Sequence, residues 1–224
     1  MSRVSVVIPV LDEALVIRQR LEELDTRGFD EVIVVDGGST DGTPALVRNA
    51  KVLSTPRGRA TQLNAGAAQA SGEILLFLHA DVSLPLDARA QLERALEDPG
   101  VVAGAFRTWT IADRPTRLGP LLHLADLRSR YSSLPYGDQA LFVRTDVFRR
   151  VGGFPPLPLM EDLALSQRLR REGSLRIVPA SVRVSGRRFI ERPLRTTLMM
   201  NTFPALYRLG VPPAYLARLY GVVR

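Results

Sequence analysis

The chain has 224 residues, 46% of them hydrophobic, and a net charge of +7 carried almost wholly by arginine, since Lys51 is its only lysine. It has no cysteine and only two histidines, His79 and His123, which excludes disulfides, thiolate metal sites, cysteine nucleophiles and multi-histidine metal cages. No apolar run reaches the ~18 residues needed to span a bilayer. Met1-Ser2-Arg3 leads straight into a strand pattern without a secretory leader, so a cytoplasmic protein is expected. The basic surplus fits either a solvated surface or an anionic partner such as a diphosphate, a phospholipid face or an acidic acceptor. The arginines are scattered without interleaved aromatics, which argues against nucleic acid.

In chain order, Val4 to Pro9 is predicted as a first buried strand, rich in β-branched residues. Asp12 is expected to cap a helix whose Ala14, Ile17, Leu21 and Leu24 share one face. Glu31 to Asp36 is a second strand, and Asp41 or Thr43 is expected to cap a helix with Pro44 in its first turn. Lys51 to Ser54 is a short third strand. Ala60, Leu63, Ala67 and Ala70 define an amphipathic helix closed by Gly72. Glu73 to Leu78 is a fourth strand, followed by a helix with Ala88, Leu92, Ala95 and Leu96 inward. This alternation argues for a parallel, doubly wound α/β sheet. The second half changes character. It offers a long strand from Val101 to Ile111 and a helix from about Thr116 to Arg130. A short strand over Gln139 to Val143, a turn and the Gly152-Gly153-Phe154 loop follow. A helix over Glu161 to Arg171 and one or two strands over Leu175 to Val184 come next. Terminal helices are expected over Leu194 to Leu209 and Pro213 to Val223.

Two strands end in a carboxylate, Asp36 and Asp81, and strand ends are where open α/β sheets place ligands. Asp36 could accept from a uracil or ribose, with Gly37 and Gly38 admitting the ligand closely, or it could serve an ordinary turn. Asp81, with His79 two residues before it, could ligate Mg²⁺ or Mn²⁺ and bridge to a diphosphate, or merely cap a loop. Arg57-Gly58-Arg59 precedes a helix, an arrangement suited to an anion and equally to a solvated turn. Glu161-Asp162 opens a helix, where acidic residues are favoured by the macrodipole, and could supply a general base. Asp138 is a second candidate base or acceptor ligand. Arg187 and Arg188 could neutralise a departing diphosphate or lie at the surface.

The order of these signals resembles glycosyltransferase family 2. The sequence runs from Pro9-x-x-Asp12-Glu13 through Val35-Asp36-Gly37-Gly38-Ser39-Thr40-Asp41, Asn64-Ala65-Gly66 and His79-Ala80-Asp81 to Gly152-Gly153-Phe154 and Glu161-Asp162. The strings Phe77 to Asp81, Tyr136 to Phe142, Pro158 to Asp162 and Ser185 to Arg188 look like a compact bacterial subgroup, the radical-SAM/selenodomain-associated transferases, a label that reflects gene neighbourhood. The resemblance implies a single-domain GT-A fold over residues 1–224, with a nucleotide-sugar-binding half to about residue 98 and an acceptor-binding half after it. It implies that Pro9, Glu13 and Asp36 line the nucleoside pocket, and that Arg59 and Asn64 sit near the base or diphosphate. Asp81 would hold Mn²⁺ or Mg²⁺, and Asp162, with Glu161, would be the base of an inverting transfer from a UDP-type nucleotide-diphosphate sugar. The family's two-aspartate pair is Asp36-Gly37 here, and its Asp-x-Asp is His79-Ala80-Asp81. The Gln-x-x-Arg-Trp signature of processive synthases is absent, so a single transfer is implied.

A nucleotide-sugar-binding regulator without turnover is the alternative reading. A dinucleotide-dependent oxidoreductase is argued against because no Gly-x-Gly-x-x-Gly follows the first strand. The apolar and arginine-rich C-terminal stretch fits peripheral contact with the inner face of a membrane or a lipid-linked acceptor. It fits equally packing on the domain or a homodimer contact.

Overall fold

Strands buried on both faces must be apolar at nearly every position, and three of the first four strands of this chain come close to that, while the edge strand Lys51–Ser54 is mostly exposed. The computed structural model describes residues 2–112, 119–132, 134–187 and 193–221. In it β1 (Val4–Val10), β2 (Glu31–Asp36), β3 (Lys51–Ser54) and β4 (Ile74–Phe77) pair in parallel in the order β3-β2-β1-β4. Along the chain come next β5 (Val82–Ser83), β6 (Val101–Ile111), β7 (Phe142–Arg144) and β8 (Ser174–Ser185). They extend the sheet beyond β4 as β7-β6-β8-β5. β7 runs antiparallel to β4 and β6, β8 is parallel to β6, and β5 runs antiparallel along β8. The sheet is therefore mostly parallel, as its sequence pattern predicts.

Alternate residues divide the core. Val4, Val6, Ile8 and Val10 face one side with α1 (Ile17–Asp25) and α3 (Ala88–Ala95). Val7, Ile33, Val35, Leu75 and Phe77 face the other, with α2 (Arg59–Gln69), α5 (Thr145–Arg150) and α6 (Glu161–Glu172). Phe77, Phe148 and Phe154 form a triangle with ring centroids 4.8 to 5.7 Å apart, anchoring the Gly152-Gly153-Phe154 loop under β4. α4 (Gly119–Tyr131) covers the edge of β6 beyond its short pairing with β7. Ser129 Oγ accepts from the Thr108 amide (3.0 Å) and Asp126 from the Thr110 amide (3.0 Å). α7 (Pro193–Arg208) packs on α4 and, with α8 (Pro213–Tyr220), buries Phe203 and Leu216 against Leu159.

Three local expectations change. Asp12 does not cap a helix: its φ is 53°, and α1 starts only at Ile17. Its carboxylate instead accepts from the Thr40 amide (2.8 Å), while its own amide donates to Ser39 Oγ (2.9 Å). The segment after Asp41 is one 3₁₀ turn, Thr43–Leu46, rather than a helix. Asp41 is engaged across the loop, accepting from the Ala14 amide (2.9 Å) and from Thr43. The Thr43 hydroxyl, with these amides, holds the Asp41 carboxyl below the usual carboxylate range against the opposing effect of burial. The turn expected between β7 and the Gly152-Gly153-Phe154 loop contains a helix, α5.

Candidate active site

The chain enters the sheet at β1, moves outward to β2 and β3, then returns to the other side of β1 as β4. That reversal is a topological switch point, where the loops after two neighbouring strands part and leave a crevice. The crevice is lined by Pro9, Val10, Leu11 and Glu13 after β1, by His79, Ala80 and Asp81 after β4, and by Arg59 and Gln62 of α2. Five of the residues singled out from sequence, Pro9, Glu13, Arg59, His79 and Asp81, thus share one wall-to-wall cleft.

Asp81 is half-buried in the turn between β4 and β5. The turn is held from behind by Arg20, a buried cation on α1 that donates to the Ala80 carbonyl (3.1 Å) and Ser83 Oγ (2.7 Å) and pairs with Glu23. Burial lowers the Arg20 pKa, and the Glu23 and Asp81 carboxylates oppose that shift. Sequence reading passed over Arg20, although it lies on the same helical face as Ile17, Leu21 and Leu24, where a charge is out of place.

The second half of the chain reaches the cleft at three points. Arg187 donates to Glu13 (3.1 Å), whose side chain is buried. Arg188 lies outside the described residues. Arg59 pairs with Glu161, which is only 1% exposed. Burial would depress the Arg59 guanidinium, but the Glu161 and Asp162 carboxylates outweigh it and hold the group above its ordinary value. The third point is Asp162. It accepts from the Gly137 amide (2.6 Å) and the Leu163 amide (2.7 Å). A Cβ placed on Gly137 would lie 3.1 Å from both Asp162 Oδ2 and His79 Nε2. The glycine therefore lets the histidine of the β4 turn and the carboxylate of α6 come to one point. Asp138 follows in the same turn, half-buried.

Two expected ligand residues are engaged elsewhere. Asp36 is buried and accepts from the Gly38 amide (3.0 Å) and the Ser39 amide (3.1 Å), shaping its own turn. Asn64 donates to the Phe154 carbonyl (2.8 Å) and accepts from the Phe154 amide (2.9 Å), so it pins the Gly152-Gly153-Phe154 loop to α2 rather than lining the cleft.

Gln62 was missed in the sequence. It is buried and donates to the Val10 and Val35 carbonyls (2.8 Å each) at the exits of β1 and β2. A Cβ on Gly37 would come within 2.9 Å of its amide. Gln62 thus occupies the space that a second aspartate after Asp36 would need, which accounts for glycine at that position.

Among the described residues, three of the four non-glycine residues with left-handed backbone lie beside these groups: Asp12 before Glu13, Ala140 two residues after Asp138 and Met160 before Glu161. Such strain persists where surrounding contacts over-determine the chain, and it gathers at functional sites.

Among the described residues no three histidine or carboxylate groups cluster tightly enough to hold a metal by themselves. A single carboxylate at a strand exit nevertheless suits Mg²⁺ or Mn²⁺, which take one or two carboxylates and complete their shell with phosphate oxygens and water. Asp81 fits that role, and His79, two residues before it in the same turn, stands beside it.

This architecture is the α/β arrangement of the GT-A fold. The structure superposes on a mannosyltransferase from Pyrobaculum calidifontis, solved with GDP-Man and Mn²⁺, with a TM-score of 0.71 and 23% identity over 98% of this chain and 68% of that one. It also superposes on the S. aureus protein TarS, solved with UDP-GlcNAc, with a TM-score of 0.64 and 20% identity over 82% of this chain and 58% of that one. The model of glycosyl transferase family 2 matches residues 5–154, and the chain belongs to that family. Among curated relatives it is 26% identical to a probable glycosyltransferase, YdaM, of Bacillus subtilis over 81% of this chain and 50% of the relative. It is 32% identical to the glycosyltransferase AglE of Haloferax volcanii over 68% of this chain and 56% of the relative. The chain therefore spans about half the length of these relatives.

The Arg59–Glu161 pair ties the start of α2 to the start of α6. Replacing Arg59 with alanine leaves a buried carboxylate without its cation and is expected to destabilise the fold by about 3 kcal/mol. The shift of the urea midpoint measures it, and a loss below about 1 kcal/mol would show the pair to be dispensable.

Proposed function

We propose that the chain transfers one sugar per encounter, with inversion, from a nucleotide-diphosphate sugar, a UDP-sugar first among donors, to an acceptor hydroxyl. The observation that carries this reading is the gathering of Asp81, His79, Glu13 and Arg59 at the β1–β4 switch point, with Asp162 brought to His79 across Gly137. Donor complexes of the structural neighbours, one with GDP-Man and Mn²⁺ and another with UDP-GlcNAc, support a nucleotide-sugar ligand.

In this reading the nucleoside lies along Pro9 to Glu13, and Asp36 acts by fixing the turn beside it. When bound, Mn²⁺ or Mg²⁺ would be held by Asp81, with His79 beside it, and would neutralise diphosphate charge. Arg187, steadied by Glu13, presents a second positive charge to the departing phosphate. Asp162 takes the proton of the acceptor hydroxyl as that oxygen attacks the anomeric carbon. The bond from that carbon to the diphosphate oxygen breaks, and its electron pair leaves with the diphosphate. Glu161 is buried against Arg59 and serves to position Asp162 rather than to take the proton. The first half of the chain supplies most of the donor cleft and the second half the acceptor side.

The test is incubation with UDP-, GDP- and dTDP-sugars with and without Mn²⁺, reading free nucleoside diphosphate and the thermal shift together. Metal-dependent release from one donor class is the expected result. A thermal shift without any release across donors and acceptors would leave a nucleotide-sugar-binding regulator in its place.

A further inference from the structure

The three helices that close the second half are apolar on two sides. Their inner side packs: Phe203 and Leu216 are buried against Leu159, with Met199 and Leu206 beside them. Their outer side does not. α4 exposes Leu124 and Tyr131, spaced seven residues apart on one face, and Tyr131 is 83% exposed. α7 exposes Leu194 and Leu198, and α8 exposes Tyr215 and Leu219, each pair spaced by four residues. A helix that buries one apolar face and exposes further large apolar side chains among its charges offers a second surface for a cover. The feature is local: elsewhere than on these helices, the β6 end and the turn after α7, only Leu15, Val52 and Leu86 among the described large apolar side chains are exposed.

Trp109, at the end of β6, belongs to the same region. It stacks on His123 of α4 with ring centroids 4.3 Å apart and stays 45% exposed. His123 in turn meets Asp126 (2.9 Å), a buried carboxylate already engaged by Thr110.

Charge decides what covers this face. After Glu172 the chain carries nine arginines against one acidic residue, Glu191. Arg130, Arg195, Arg208 and Arg218 on the three helices are exposed, and Asp126, their only carboxylate, is buried. A second copy docking through the same face would set arginine against arginine. No helix among the described residues is long and apolar enough to cross a membrane. Leucine stripes edged by arginine, tryptophan and tyrosine are instead the composition that settles at the headgroup boundary of an anionic bilayer.

We propose that the outer face of α4, α7 and α8, with Trp109, docks the protein on the surface of an anionic lipid bilayer. Because α7 and α8 pack on Leu159 and Met160, directly before Glu161, the docked face adjoins the acceptor side of the cleft. The proposal stands on this surface alone and does not depend on which donor the cleft takes.

Trp109 is the only tryptophan in the chain and reports the contact without any activity measurement. The probes are vesicles of phosphatidylcholine alone and of phosphatidylcholine with phosphatidylglycerol, each at low and high salt. The expected result is co-sedimentation with anionic vesicles and a blue shift of Trp109 emission, both suppressed by salt. With each near-surface arginine contributing about a fivefold factor, Arg208→Gln with Arg218→Gln should weaken partitioning about twenty-five-fold. Leu194→Ser with Leu198→Ser should abolish the blue shift. All four positions are exposed, and unchanged melting temperatures confirm that both variants fold. No partitioning at low salt, equal binding to neutral vesicles, or a concentration-dependent dimer that hides Trp109 would overturn the proposal.

Discussion

Asp162→Asn is expected to lower the transfer rate by about a hundredfold or more, because the amide keeps the size of the side chain but cannot take the acceptor's proton. The substitution preserves an oxygen that can still accept from the Gly137 or Leu163 amide, so the start of α6 should stay in place. Donor affinity should be nearly unchanged, which separates a lost base from a lost binding group. The control is Glu161→Gln. Its carboxylate is buried against Arg59, so its loss should act through stability and through the placement of Asp162. A rate within a few-fold of the parent for Asp162→Asn would move the base to Asp138, in the neighbouring turn.

Asp81→Ala is expected to remove metal-dependent donor binding altogether. A donor present at about a hundred times its Kd stabilises the folded protein by about 2.7 kcal/mol. That increment, read as a shift in Tm with Mn²⁺ and donor together, should disappear in the variant. The turn itself should survive, because Arg20 keeps its bonds to the Ala80 carbonyl, Ser83 and Glu23. A variant that keeps the full Mn²⁺-dependent shift would exclude Asp81 as the metal ligand.

Strands were easier to read from sequence than the contacts that finish the site. β2, β3 and β6 begin and end where sequence places them because runs rich in β-branched and apolar residues, bounded by turn residues, mark strand limits even where, as in β3 and the outer part of β6, the strand is exposed. The loop at residues 11–16 was misread because its polar groups bind a distant segment. Asp12 meets Thr40, and Asp41 meets Ala14, across 28 and 27 residues, and local capping rules cannot foresee partners that remote. The same separation hides the site's scaffolding. Arg59 and Glu161 are 102 residues apart, and Asn64 and Phe154 are 90 apart. Each reads locally as a surface group or a ligand. Gln62 and Arg20 carried the one usable signal, a polar side chain next to or within an apolar helical stripe.

The way the cleft is closed bears on how the protein reaches its working state. β1 to β4 and the helices between them are consecutive, so their pairing closes shorter loops than the contacts that complete the cleft. The last pieces are remote. The two-residue strand β5 pairs only with β8, the Ser185 amide donates to the Asp81 carbonyl (3.1 Å), and Arg187 reaches Glu13 across 174 residues. Contacts of such high sequence separation form late and slowly. A nascent or refolding chain will therefore pass through a stage in which the β1–β4 half has assembled while β4 still lacks β7 and the Asp81 turn lacks its brace. Its apolar sheet edge is then open to misassembly. Recovery of donor binding should accordingly lag the recovery of helical and sheet signal, and the yield of refolding should fall as protein concentration rises.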